Sequence, residues 1–103
     1  MRFILKVNMP IEAGNAAARA GKLSETIKSI LDELKPEAAY FTADNGQRTA
    51  YIFLEMEDAS QIPAIAEPWF LGVNAAIELR PVMVLEDLQK AGPAMEEAVR
   101  KYG

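Results

Sequence analysis

The sequence has 103 residues, half of them hydrophobic and a quarter charged, with a formal net charge of −4. That is the length of one domain and an ordinary globular composition. It contains no histidine and no cysteine, which excludes thiol nucleophiles, disulfides, Cys/His zinc sites, haem held by His or Cys, and histidine-based triads within one chain.

Arg2 to Asn8 alternates, with Phe3, Leu5 and Val7 on one side and Arg2, Ile4, Lys6 and Asn8 on the other, which predicts a strand with one fully apolar face. Pro10 ends it. Asn15 is a candidate N-cap, followed by Leu23, Ile27, Ile30, Leu31 and Leu34 at helical spacing. Gly21 makes this either one helix with a soft spot or two abutting segments, and Pro36 stops it. Glu37 to Asp44 is a second strand, Tyr40 and Thr42 opposing Ala39, Phe41 and Ala43. Asn45-Gly46 then signals a tight hairpin into a third strand, Arg48 to Glu57.

Asp58 and Gln61 have the spacing of a capping box, and Ile62, Ile65, Ala66 and Trp69 follow at helical spacing. Pro63 suits the first turn; Pro68 and Gly72 are expected to close the helix. Asn74 to Val84 is a fourth strand, with Pro81 pointing to a sheet edge. Leu85 to Ala91 is a short helix cut by Gly92-Pro93, and Met95, Ala98, Val99 and Tyr102 stripe a last one.

The order β-α-β-β-α-β plus a helical tail predicts an α+β, ferredoxin-like domain over residues 1–84, extended by residues 85–103. Its sheet is antiparallel, with the first and third strands central and both helices on one face. The opposite face mixes Ile4, Phe53 and Tyr51 with Lys6, Asn8, Glu55, Glu78 and Arg80. A sheet needs a second layer over an apolar face, so a second copy packing sheet against sheet is expected, enclosing the polar groups.

Lys6, Glu55, Glu78 and Arg80 are the candidate catalytic residues: a carboxylate moves a proton while Lys6 or Arg80 stabilises developing negative charge. The same four serve equally well as structural ion pairs. Tyr40, Tyr51, Trp69 and Phe70 are candidates for an aromatic ligand wall, although Trp69 and Phe70 also suit helix-to-core packing. Asn8 is a further ligand-binding candidate or a turn residue. Glu55, Glu57 and Asp58 give too few clustered oxygens for a metal site, Arg48 reads as a solvated hairpin charge, and no glycine-rich phosphate loop is present. No metal and no cofactor is expected. Without a basic block nucleic acid is a poor partner, and without an apolar run of membrane length so is the bilayer. The first residues are too short and too charged for a signal-peptide core, leaving a bacterial-type cytoplasm as the default location.

Met1 to Pro10, the Asp58-Ala-Ser60 helix start and Glu67-Pro-Trp-Phe-Leu-Gly72 leading to Ala76-Ile-Glu-Leu79 resemble the dimeric α+β barrel superfamily, muconolactone isomerases in particular. Ala39-Tyr-Phe-Thr42 and Glu67-Pro-Trp-Phe70 also resemble small bacterial proteins of unknown function. The resemblance implies a homodimer with a pocket between sheet and helices. The histidines and metal ligands of some relatives have no counterpart here. Two functions follow as expectations. One is a small-molecule-binding protein, at most a cofactor-free isomerase or monooxygenase-like enzyme for a hydrophobic carbonyl-bearing compound. The other is a non-catalytic oligomerisation or protein-interaction module. The sequence does not decide whether the protein is an enzyme.

Overall fold

The computed structural model describes all residues, 1–103. It is α+β, with an open four-stranded antiparallel sheet and five helices. The elements are β1 (Arg2–Met9), α1 (Ile11–Arg19), α2 (Leu23–Leu34), β2 (Ala38–Asp44), β3 (Gln47–Glu55), α3 (Ile62–Val73), β4 (Ala76–Pro81), α4 (Leu85–Lys90) and α5 (Gly92–Tyr102), with a 3₁₀ turn at Ala59–Gln61. The strand order is β2-β3-β1-β4.

β1 is central and pairs on both sides, Lys6 lying opposite Tyr51 of β3 and opposite Glu78 of β4. Because side chains alternate along a strand, this register sorts the sheet into two faces. Phe3, Leu5, Val7, Met9, Ala50, Ile52 and Leu54 face the helices and are buried, together with Ile30 of α2 and Ile65, Trp69 and Val73 of α3. Burying an aliphatic side chain of this kind contributes about 1.5–3 kcal/mol, and this layer, with Met56 and Ala75, is the core.

The connections follow local chemistry. Asn45 and Gly46 both take positive φ, 53° and 72°, the combination a two-residue hairpin twisted with its strands requires. The Asp58 carboxylate accepts the Ser60 N–H while the Gln61 side chain accepts the Asp58 N–H, closing the capping box that the sequence shows.

Four local expectations are corrected. Helix α1 starts at Ile11 directly after Pro10, so Asn15 lies inside a helix and caps nothing; Gly21 at φ 70° then separates α1 from α2. Pro68 and Gly72 sit within α3, which runs to Val73 and ends on left-handed Asn74. Proline costs a helix interior on the order of 3 kcal/mol, but the buried Trp69 and Val73 beyond it recover at least as much. Gly72 is where α3 passes α2: a Cβ there would lie 3.2 Å from Thr26. β3 and β4 are shorter than expected, so Glu57 leaves the strand. Arg48 is not a solvated hairpin charge: it is half-buried, lies against Gly14 and donates from Nη1 to Asn15 Oδ1 at 3.0 Å.

β4 is an edge strand, and Pro81 is its last residue. Beyond it α4 and α5 leave the body. The chain measures 59 × 28 × 20 Å with a radius of gyration of 17.3 Å, against about 13 Å for a compact chain of this size. No helix is long and apolar enough to cross a membrane.

Candidate functional site

The face of the sheet turned away from the helices carries the greatest concentration of functional groups. Cross-strand pairing puts Lys6 beside Tyr51 and Glu78, Ile4 beside Phe53 and Arg80, Tyr40 beside Tyr51, and Arg2 beside Glu55. Lys6, Glu55, Glu78, Arg80, Asn8, Tyr40 and Tyr51 therefore share one face. Trp69 and Phe70 do not. Trp69 is fully buried in the core on the other side of the sheet, and Phe70, on the same helix, is exposed. Their assignment to a common aromatic wall with Tyr40 and Tyr51 is corrected: helix α3 covers the opposite face, so its aromatics cannot reach this one.

The centre of the face is a three-residue cluster. Lys6 Nζ lies 2.8 Å from Asp44 Oδ2, the Tyr51 hydroxyl donates to the same oxygen at 2.9 Å, and the ammonium sits 5.9 Å from the Tyr51 ring centroid. The hydrogen bond from Lys6, then that from Tyr51, hold the Asp44 carboxyl below its ordinary range. Asp44 in turn raises the Lys6 ammonium and the Tyr51 phenol above theirs. Lys6 thus remains a cation and Tyr51 a neutral hydroxyl throughout the physiological range.

Beside the cluster Arg80 donates to Glu78 at 3.0 Å. Ile4, Lys6, Tyr51, Glu78 and Arg80 line a depression of about 50 Å³. Tyr40 stands edge-on to Phe53, centroids 6.5 Å apart, and forms an exposed aromatic shoulder. Two expected participants are engaged elsewhere. The Asn8 side chain accepts from buried Thr49 at 3.0 Å. Glu55 sits at the sheet's end, four residues along β3 from Tyr51, where the Met1 amine at 3.0 Å lowers its pKa. Arg2 pairs there with Glu37 at 3.0 Å.

Asp44 was not among the candidates, because its position before Asn45-Gly46 reads as turn chemistry. Its signal was parity: it lies two and four residues on from Thr42 and Tyr40, on their side of β2. A wider groove of about 380 Å³ lies on the helix side, between α2 and the β2 edge, lined by Ile27, Leu31 and Phe41. Its charged rim, Lys28 and Asp32, is already paired at 2.8 Å, so it offers apolar shape and little chemistry. No three metal-capable side chains converge anywhere in the chain.

Among solved structures, the chain is similar to a formyltetrahydrofolate deformylase from Pseudomonas putida KT2440, at 17% identity and a TM-score of 0.49 over 80% of this chain. The chain spans 29% of that enzyme's length. It is also similar to the de novo designed protein Ferredog-Diesel, at 9% identity and a TM-score of 0.46, covering 79% of this chain and 85% of that one. No curated protein matches. A family model described as a domain of unknown function, DUF3303, matches residues 1–96, and the chain therefore belongs to that family.

Proposed function

We propose that this protein binds a small, hydrophobic, carbonyl- or carboxylate-bearing molecule on the open face of its sheet, in a chamber completed by a second copy. The strand order, with the connecting helices on one side, reads as a ferredoxin-like domain, and in that reading the bare face is where two copies meet.

The observation that carries the proposal is the Lys6–Asp44–Tyr51 cluster beside the Glu78–Arg80 pair, around a depression floored by Ile4. Two cations and a phenol converge where an oxygen-bearing ligand would meet charge-assisted donors, with Ile4, Phe53 and Tyr40 offering apolar contact. A depression of about 50 Å³ is far below the roughly 300 Å³ at which ligand pockets begin. One copy alone encloses nothing, which is why the reading requires a second. In the catalytic form of the proposal, Glu78 moves a proton while Lys6 and Arg80 stabilise an enolate oxygen, an isomerase-type step that needs no cofactor.

The test is a ligand-observed NMR screen of aromatic and aliphatic keto acids and lactones. Binding that vanishes in Lys6→Met and weakens at least tenfold in Arg80→Gln supports the site. A ligand indifferent to both substitutions, or no ligand at all, removes it and leaves the oligomerisation module, which half-buried Ile4 and Phe53 and exposed Tyr40 on the same face also favour.

A further inference from the structure

The two edges of the sheet are not alike. The strand order leaves β2 and β4 each with one unpaired side, and such a side offers its N–H and C=O groups to any strand that reaches it. The register decides which groups point outward. The Met56 amide donates to the Met1 carbonyl at 3.0 Å, continuing the β1–β3 ladder. The even residues of β3 therefore turn their backbone toward β1, and the odd ones, Gln47 to Phe53, toward β2. Their partners in β2 are Ala38, Tyr40, Thr42 and Asp44. The N–H and C=O groups of Ala39, Phe41 and Ala43 are left facing outward.

On the other edge the Val82 amide donates to the Arg2 carbonyl at 3.0 Å, so Ile77, Leu79 and Pro81 of β4 face outward. Pro81 has no N–H to offer, and Glu78 and Arg80 carry charge along the strand; both features guard an edge against pairing. β2 has neither. Ala38 to Ala43 include no proline and no charge, and Asp44 is drawn back onto its own sheet by Lys6 at 2.8 Å. Tyr40, Phe41, Thr42 and Ala43 are all exposed, so no helix covers the strand.

We propose that β2 pairs antiparallel with β2 of a second copy, about a two-fold axis that passes through Phe41 perpendicular to the sheet. The strand's own pattern selects that occupant. The outward residues are symmetric about Phe41, so the axis sets Phe41 opposite its counterpart and Ala39 opposite Ala43. Every outward group is then used, in pairs that exchange both of their hydrogen bonds. Moving the axis to Tyr40 would set Ala43 opposite Glu37, whose amide is already given to the Phe53 carbonyl at 2.8 Å. Moving it to Thr42 would set Ala39 opposite Asn45, in the turn.

The side chains agree with this register. On the open face Tyr40 meets Thr42, an aromatic against a β-branched residue, in both copies. Asp44 meets Ala38, so no charge faces its like. On the helix side the two Phe41 rings, each 53% exposed, meet beside the apolar groove lined by Ile27 and Leu31, and Ala39 and Ala43 are too small to obstruct them. Two four-stranded sheets thus become one, with the helices of both copies on the same side. The guarded β4 edges stop growth there, leaving a closed dimer. The contact uses the edge and not the open face, so it stands whether or not that face binds a ligand or packs on another copy.

Amide exchange followed by NMR reads the pairing directly in the unsubstituted chain. The Tyr40 and Thr42 amides should be protected at every concentration. Those of Ala39, Phe41 and Ala43 should exchange freely in dilute solution and become protected in concentrated solution. A second readout uses the self-opposition of position 41, in a Phe53→Asp background that removes any sheet-to-sheet contact. Phe41→Asp and Phe41→Lys chains should each associate at least tenfold more weakly by light scattering, because like charges would stand about 5.5 Å apart across the axis, Cα to Cα. An equal mixture of the two should recover association, and an unchanged circular dichroism spectrum verifies the fold. Edge amides that exchange freely while the chain is associated, or charge variants that fail to rescue one another, overturn the proposal. So does an edge that stays open in the concentrated pure chain, which would leave it to a strand of a different protein.

Discussion

The two sides of β1 differ by one residue in sequence and by everything in environment. Leu5 and Val7 are wholly buried under α2 and α3; Ile4, Lys6 and Asn8, between and beside them, are half-buried on a face that no helix covers. The first side is held mainly by packing, with the Arg48–Asn15 hydrogen bond at its margin. The second is organised by directional contacts: the shared Asp44 oxygen, the Glu78–Arg80 pair and the edge-on Tyr40–Phe53 stack. One face of a sheet can therefore be assigned to stability and the other left free for recognition, and substitutions on the two should have separable effects.

The strongest way to break this division is on the packed side. Trp69→Ala is expected to cost about 3–5 kcal/mol and Leu5→Ala about 2–5 kcal/mol, read from urea denaturation, while Ile4→Ala on the open face costs under about 1.5 kcal/mol. Equal losses at positions 4 and 5 would show that the faces are not distinct. Next, Phe53→Asp should leave folding intact and dissociate any sheet-to-sheet dimer, halving the mass seen by light scattering; an unchanged mass would place the contact elsewhere.

A subtler prediction concerns protons. The Asp44 carboxyl is depressed when folded, so its contribution to stability is complete above the ordinary carboxylate range and is lost as pH falls through its folded pKa. NMR titration should find its midpoint low in the native chain and moved toward ordinary values in Lys6→Met. No movement would mean that the ion pair does not persist in solution. The smallest effect is expected at Gly14→Ala. The new Cβ would come within 2.7 Å of Arg48 Nη1, displacing the end of a flexible side chain. The lost hydrogen bond to Asn15, about 1 kcal/mol, is offset by about 1 kcal/mol of helix propensity. A net change beyond about 1.5 kcal/mol in thermal unfolding would show that Arg48 is held more firmly than its contacts suggest.

How much of this was legible in the sequence depends on the range of the signal. Period-two alternation in Phe3-Ile4-Leu5-Lys6-Val7 and the Asn45-Gly46 pair are local and unambiguous, so the faces, the hairpin and the sharing of one face by Lys6, Glu55, Glu78 and Arg80 could be read directly. Trp69 could not be placed, because an aromatic on an amphipathic helix fits a core and a cleft equally well until the side covered by α3 is known. The end of α3 was misread because Pro68 and Gly72 are local stop signals that tertiary burial of Trp69 and Val73 overrides. Asp44 escaped notice because it reads as the residue before a turn, and its ion-pair partner Lys6 is far away in sequence, while Tyr51 reaches it only across the hairpin. Only strand pairing brings the three together.

The arm that α4 and α5 form beyond the body has a practical corollary. A single copy stretched to 59 Å in one direction and 20 Å in another meets more friction than a sphere of equal mass, so it would elute early from a sizing column and mimic something heavier. Stoichiometry for this chain must come from scattered light or sedimentation equilibrium, which weigh the particle without regard to its outline.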